Sequence, residues 1–260
     1  MTSGNLVERI SALIILIIFF PLFVVLAAVI AVQLRQCPFF VQKRGLTLEN
    51  KNFNIIKFRT IKTKPCNETE KKEYRDIFYK EELSGSLSSF SGWLRRTGLD
   101  ELPQLINIVR GEMSFTGPRP MMPADLRIMK EQFELYYFLR GTIKCKPGIT
   151  GLWQLLGKRE NGMSDLIELD MLYETMKTPL FNLKIIAATI PYVLLAYNSD
   201  SIIKGRRTVF GKMVTEEKRS KIRKRIVRFL GIEKTDEVLR RKIKELKPGF
   251  QFSGENIVNE

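Results

Sequence analysis

The residues from Ile10 to Val32 carry no charge, and only Ser11 and Pro21 interrupt their apolar character. At ~1.5 Å rise per residue, a helix of this length crosses a hydrocarbon core of ~30 Å. A cleaved secretory signal fits poorly, because its apolar core usually runs about 7–15 residues. Arg9 is the only Lys or Arg before the run, whereas Arg35, Lys43, Arg44, Lys51, Lys57 and Arg59 follow it. That asymmetry puts the C-terminal side in the cytoplasm. Pro21 stands at the midpoint, lacks a backbone N–H and predicts a kink. Two topologies follow: a bent spanning helix, or a helix that turns back and leaves by the face it entered. An isolated re-entrant turn exposes unpaired backbone to lipid, so physics alone favours spanning.

Lys and Arg number 43 against 28 Asp and Glu, a net charge of +15. Anionic partners are implied: nucleic acid, acidic headgroups or phosphorylated substrates. Most of the excess lies in residues 204–247, with 17 basic and 6 acidic side chains. Ile222, Ile226, Phe229 and Leu230 make one apolar stripe there, and Leu239, Ile243 and Leu246 another. Two short basic amphipathic helices suited to anionic membrane lipids are expected. No nucleic-acid reading motif accompanies the charge, so nucleic acid is not the expected partner. The chain has no histidine, which excludes His-based triads, His-ligated metals and imidazole acid/base chemistry. Cys37, Cys66 and Cys145 are scattered without C-x-x-C spacing, as free thiols of a reducing compartment would be.

Carboxylates must then carry any chemistry, and the segment Arg95 to Pro120 concentrates the means. Asp100 and Glu101 are adjacent, Arg95 and Arg96 precede them, and Gly117-Pro118-Arg119-Pro120 closes the stretch. Leu102, Leu105, Ile106 and Val109 recur at helical spacing, Pro103 suits only a first turn, and Gly111 suits a C-cap. The acidic pair therefore falls at a helix N-terminus, where exposed N–H groups and the dipole favour negative charge. Such a carboxylate serves as nucleophile, as metal ligand or as both; the plain alternative is a cap and a first-turn acid.

Elsewhere, Asn52 to Ile61 reads as a strand with Lys57 and Arg59 on a common face, a phosphate grip or a solvated face. Lys64 to Ser91 reads as a polar loop with one surface helix. Phe133 to Arg140 reads as helix. Lys144 to Arg159 contains Pro147-Gly148 and Gly151 among Lys146, Lys158 and Arg159. Its glycine spacing and Arg159 rule out a P-loop, leaving a phosphate nest or a surface turn. Ser164 to Tyr173 starts a helix bearing Asp165, Glu168 and Asp170, with Asp165 expected on a solvated face. Leu180 to Tyr197 is interrupted by Asn182, Lys184 and Pro191, which fits an interfacial helix or a core helix better than a spanning one.

Together, Leu99 to Pro120, Lys146 to Arg159, Lys57 to Thr60 and Glu168 to Tyr173 resemble the bacterial sugar transferases, the small polyprenyl-phosphate sugar-1-phosphate transferases. The likeness runs from about residue 6 to 198, with four motifs in order behind a Pro-broken apolar segment. It implies a helix-dominated α/β monotopic membrane protein with a re-entrant N-terminal helix broken at Pro21 and interfacial amphipathic helices. Residues 1–36 would form the membrane insert, 37–200 the transferase domain and 201–260 a basic extension without counterpart. Further departures include an unusually long segment before Arg95-Arg96.

The implied activity is transfer of a sugar 1-phosphate from a UDP-sugar to undecaprenyl phosphate, with UMP released. The implied location is the cytoplasmic face of the bacterial inner membrane, and the product would initiate membrane-bound glycan assembly. Asp100 would be the nucleophile; Glu101 would position or deprotonate the acceptor, or hold Mg²⁺ together with Asp100. Arg95, Arg119, Lys57, Arg59, Lys146, Arg159 and Asp170 would form the substrate- and phosphate-binding set. A non-enzymatic adaptor binding anionic lipid through the tail is the alternative, and a chain-extending glycosyltransferase is disfavoured because no Asp-x-Asp motif occurs. Oligomeric state, a homodimer included, and the sugar itself stay open.

Overall fold

Pro21 decides the shape of the N-terminal segment. A computed structural model of the chain describes residues 3–62, 88–157, 162–194 and 216–232. In it the apolar run forms two helices, α1 (Ser3–Ile18) and α2 (Phe20–Leu34), inclined at 64°. Pro21 lies in the first turn of α2, where its missing N–H has no intrahelical acceptor to lose. The backbone stays bonded across the break, with Phe19 N–H donating to Ile15 O and Phe23 N–H to Phe19 O, both 2.9 Å. No single helix among the described residues is long and apolar enough to cross a membrane.

Both arms of the bend return to one body. Ala12 of α1 packs with Leu105, Ile108 and Met113, and Arg9 Nε donates to Val109 O at 2.7 Å. The far turns of α2 bury Leu26, Ile30 and Leu34 against Phe58 and Leu94. Ile17, Phe20, Val24 and Val32 remain exposed on the outer faces.

The body joins short strands to many helices, the mixed class expected. Strands β1 (Phe39–Arg44) and β2 (Phe53–Phe58) pair antiparallel, Phe39 facing Phe58 and Arg44 facing Phe53. Helix α3 (Ser89–Thr97) is capped by Ser88, whose hydroxyl accepts from Ser91 N–H, and ends at Gly98 with φ +68°. A 3-10 turn, Leu99–Glu101, and Pro103 lead into α4 (Gln104–Arg110). Gly111 closes α4 at φ +81°, the left-handed cap that glycine adopts without strain. Ile108 is fully buried, worth about 2 kcal/mol in transfer.

Strand β3 (Ser114–Thr116) runs parallel to β4 (Gly148–Thr150), and between them lie α5 (Pro123–Gln132) and α6 (Glu134–Gly141). The phosphate-nest and surface-turn readings of the PGITG segment both give way here. Gly117, Gly148 and Gly151 are buried, and a Cβ on any of them would strike backbone across the seam. These glycines let two chains touch. Helices α7 (Leu152–Leu156), α8 (Gly162–Met176) and α9 (Pro179–Leu194) enclose the main core around Trp153, Leu166, Met171 and Ile185. Asp165 is buried, not solvated, because α8 is covered along most of its circumference. Helix α9 carries the buried face of the core-helix reading in Phe181, Ile185 and Ala188, while Leu180, Leu183 and Ile190 are exposed. Helix α10 (Glu216–Leu230) realises the first tail helix, whereas the second, around Leu239 to Leu246, and the loop of residues 64–87 lie outside the described residues.

Candidate active site

The turn between α3 and α4 is tight. Gly98 reverses the chain, Glu101 N–H donates back to Gly98 O at 3.0 Å and Leu102 N–H to Leu99 O at 3.2 Å. Asp100 and Glu101 thus occupy a turn preceding α4, one step earlier than the periodicity suggested. Asp100 is buried at 9% exposure, while Glu101 reaches toward β2 and pairs with Lys57, Nζ to Oε1 2.5 Å.

Burial, and then the Glu101 charge, push the Asp100 carboxyl up to about 6 against the pull of Lys57 and Arg95. Burial in turn lowers the Arg95 guanidinium, and Asp100 and Glu101 counter it. Arg95 Nε donates to Thr60 Oγ1 at 2.7 Å, which ties the arginine of α3 to the strand end that follows Lys57. Two carboxylates and two cations from three elements therefore converge, as the motif spacing expected. A carboxylate poised near 6 is mostly ionised at neutral pH, yet poorly solvated, and gains from any further positive charge.

Asn107 fixes this geometry, and sequence reasoning gave it no role. Fully buried, it accepts from Ile56 N–H at 3.1 Å and donates to Asn54 O at 2.8 Å and Glu112 Oε2 at 2.6 Å. The side chain clamps α4 to β2 at Asn54 and Ile56, just before Lys57. An amide between Leu105 and Ile108 in a greasy helix was the available signal.

Asp170 belongs to a second cluster. Its Oδ2 accepts from Arg140 Nη1 at 2.6 Å, with the two side chains 2% and 0% exposed. Arg140 also donates through Nε to Leu46 O at 2.6 Å and through Nη2 to Arg119 O. Arg119 N–H in turn faces Asp170 Oδ1 at 3.4 Å. The Pro-Arg-Pro corner is held from both sides of its arginine's backbone, and Arg140, unassigned from sequence, is the hub. Burial raises Asp170 to about 6 as well, with Arg140 the largest opposing pull.

Two further expected residues make contacts of their own. Arg59 lies beyond β2 and donates to Cys37 O at 2.8 Å and Phe39 O at 3.2 Å. Lys146 sits beside Arg9 at Gly111, the C-terminal end of α4, where cations complement the helix dipole. The seven residues of α4 put roughly 10 Å of helix between it and the acidic turn. Arg159 lies outside the described residues.

A turn-borne carboxylate pair among cations thus lies beside a bent apolar helix pair on a helix-rich α/β body. The family described as Bacterial sugar transferase matches residues 2–196, and the chain belongs to that family. The exopolysaccharide production protein ExoY of Rhizobium meliloti is 30% identical over 209 residues, 75% of this chain and 89% of that protein. The undecaprenyl-phosphate glucose phosphotransferase of Komagataeibacter xylinus is 30% identical over 73% of this chain and 35% of its own length. The UDP-galactose-lipid carrier transferase of Erwinia amylovora is 33% identical over 48% of this chain and 27% of its length. The chain thus spans most of the first relative and about a third or less of the other two.

Proposed function

We propose that this protein transfers a sugar 1-phosphate from a UDP-sugar to undecaprenyl phosphate at the cytoplasmic face of the bacterial inner membrane. UMP leaves, and the lipid-linked sugar starts assembly of a membrane-bound glycan. Asp100 carries the reading: a buried, cation-flanked carboxylate with an acidic neighbour, in a chain without histidine. The names of the relatives, which specify undecaprenyl phosphate and a UDP-sugar, support the substrates. The return of both helical arms to one body supports a re-entrant insert, with the active site near the headgroups.

In this mechanism an Asp100 carboxylate oxygen attacks the phosphorus that bears the sugar. The bond from that phosphorus to the bridging oxygen breaks, and UMP departs with the electron pair. A phosphate oxygen of the lipid then attacks the same phosphorus, and the bond to Asp100 breaks to restore the carboxylate. Lys57 and Arg95 offset the charge gathered by two phosphates and two carboxylates. Lys57 also holds Glu101 beside the nucleophile, placed to position or deprotonate the acceptor. Arg140 and Asp170 orient the Arg119 corner toward the substrate phosphates.

Asp100 and Glu101 present hard oxygen donors, and a carboxylate destabilised by burial and a like charge gains from a neighbouring cation. The pair fits Mg²⁺, which commonly takes one or two carboxylates and completes its shell with water and substrate phosphate. Among the described residues no group of three or more acidic or thiol side chains forms a larger metal site. Bound there, the ion would neutralise phosphate charge as a Lewis acid.

The test is a panel of UDP-sugars incubated with the protein and undecaprenyl phosphate in nanodiscs, with UMP release read against Mg²⁺. One UDP-sugar should yield UMP, and donor alone should leave a sugar-phosphate mass on Asp100. Absence of UMP from every donor overturns the reading, and UMP without the adduct overturns the covalent route.

A further inference from the structure

Helix α10 lies beyond the family match, which ends at residue 196, yet it is built into the fold. Ile226 and Leu230, with Ile232 just after it, join the main core. We propose that the outward face of α10, together with the exposed edge of α9, docks on the anionic phospholipid headgroups of the bilayer. The inference rests on the membrane placement above but not on the transfer chemistry.

Lys221, Lys224, Arg225 and Arg228 recur at three- and four-residue spacing and all are exposed, one cationic stripe opposite the core-facing Ile226 and Leu230. Alongside it runs an apolar row. Lys184 of α9 sets its Nζ 5.9 Å from the Phe229 ring centroid, joining the helices where Phe229, Leu180 and Leu183 are 50%, 64% and 61% exposed. Apolar side chains flanked by Lys and Arg match an interfacial surface: the rings and leucines enter the acyl boundary while the cations meet lipid phosphate. Nucleic acid would use the cations but leave the apolar row in water. The α1–α2 pair supplies continuity, because α3, which packs on α2 through Leu94, also touches α9.

The full chain is reconstituted in nanodiscs of phosphatidylcholine alone or with phosphatidylglycerol. Chymotryptic cleavage after Phe229 is then followed by mass spectrometry. Phosphatidylglycerol should slow cleavage by roughly tenfold at low salt, since each cation near an anionic surface adds attraction. Added NaCl at 0.5 M should remove that protection by screening. The Lys224→Gln/Arg225→Gln protein should lose most of it, whereas Lys224→Arg/Arg225→Lys should keep it, which separates charge from folding. Equal cleavage in both lipids overturns the proposal, as does protection undiminished by salt, or RNA protecting the protein in neutral lipid as well as phosphatidylglycerol does. No catalytic readout enters, so lipid protection without UMP release would count against the transferase reading alone.

Discussion

Asp100 and Asp170 are both buried aspartates that burial raises to about 6, yet the chain treats them in opposite ways. Asp170 meets a fully buried arginine at 2.6 Å and spends its oxygens on structure. Asp100 has a like charge for a neighbour, while the nearest lysine is bonded to Glu101 instead. One charge is matched by a buried partner; the other is only partly offset by Lys57 and Arg95. A carboxylate left short of partners at the start of a helix is a cost to stability that a substrate or metal can relieve.

Substitution to asparagine should separate the two most sharply. Asp100→Asn is expected to lower UMP release by roughly 10⁴-fold or more, as loss of a nucleophile does. The same change should stabilise the metal-free protein by up to about 3 kcal/mol, the worth of a carboxylate raised from 3.8 to about 6. Thermal unfolding in detergent with chelator checks it, and a lower midpoint would refute the idea that Asp100 is incompletely compensated. Asp170→Asn should do the reverse, destabilising by about 3–5 kcal/mol because Arg140 is left as a buried unpaired charge. Its catalytic loss should follow from a displaced Arg119 corner and appear in KM as well as kcat.

The contrast also has a pH signature. Asp100 holds its proton in the folded state up to about 6, whereas an unfolded aspartate releases it near 3.9. Between those values the native state binds more protons, so stability falls as pH rises through the window. The stabilisation by Asp100→Asn should therefore be near zero below pH 4, grow through the window and level off above pH 6. A gain that does not change with pH would mean that packing, not charge, explains it.

How much of this was legible in the sequence depends on distance along the chain. Pro103 and Gly111 act on their own neighbours, so the position of α4 was readable within a turn. Pro21 announced a break, but whether α2 left or returned depended on Leu94 and Phe58, sixty residues of chain away in one case. The link from Arg140 to Asp170 spans thirty residues that include β4 and α7, and no spacing encodes it. The glycines of PGITG were conspicuous, yet a glycine that admits a phosphate and one that admits another backbone look alike until the facing chain is known. Lys146 was hard to place for the same reason: its motif neighbours belong to the seam, while its ammonium lies beside Gly111 at the C-terminal end of α4.

Lys57 tests whether the cations near Asp100 set its charge. Lys57→Gln should raise the Asp100 carboxyl further, since Lys57 pulls it down, and free Glu101 to move. UMP release should fall by roughly 10²-fold, and the acidic limb of the pH–rate profile should shift to higher pH. Loss of activity with an unmoved limb would mean that Lys57 serves the substrate alone.

Arg59 offers the finest discrimination, because it shares the KFRT segment with Lys57 and differs from it only in what it touches. Its guanidinium donates to the carbonyls of Cys37 and Phe39, the short link between α2 and β1. Each such charged bond contributes about 1.5 kcal/mol to stability or somewhat more. Arg59→Met should therefore lower the unfolding midpoint by about 1–3 kcal/mol in stability while kcat stays within roughly threefold of the parent. The phosphate grip expected from sequence makes a different forecast, a rise in KM for the UDP-sugar with stability unchanged. Measuring both quantities on one variant decides whether two cations two residues apart serve the substrate together, or whether one holds the link between α2 and β1 while the other faces the chemistry.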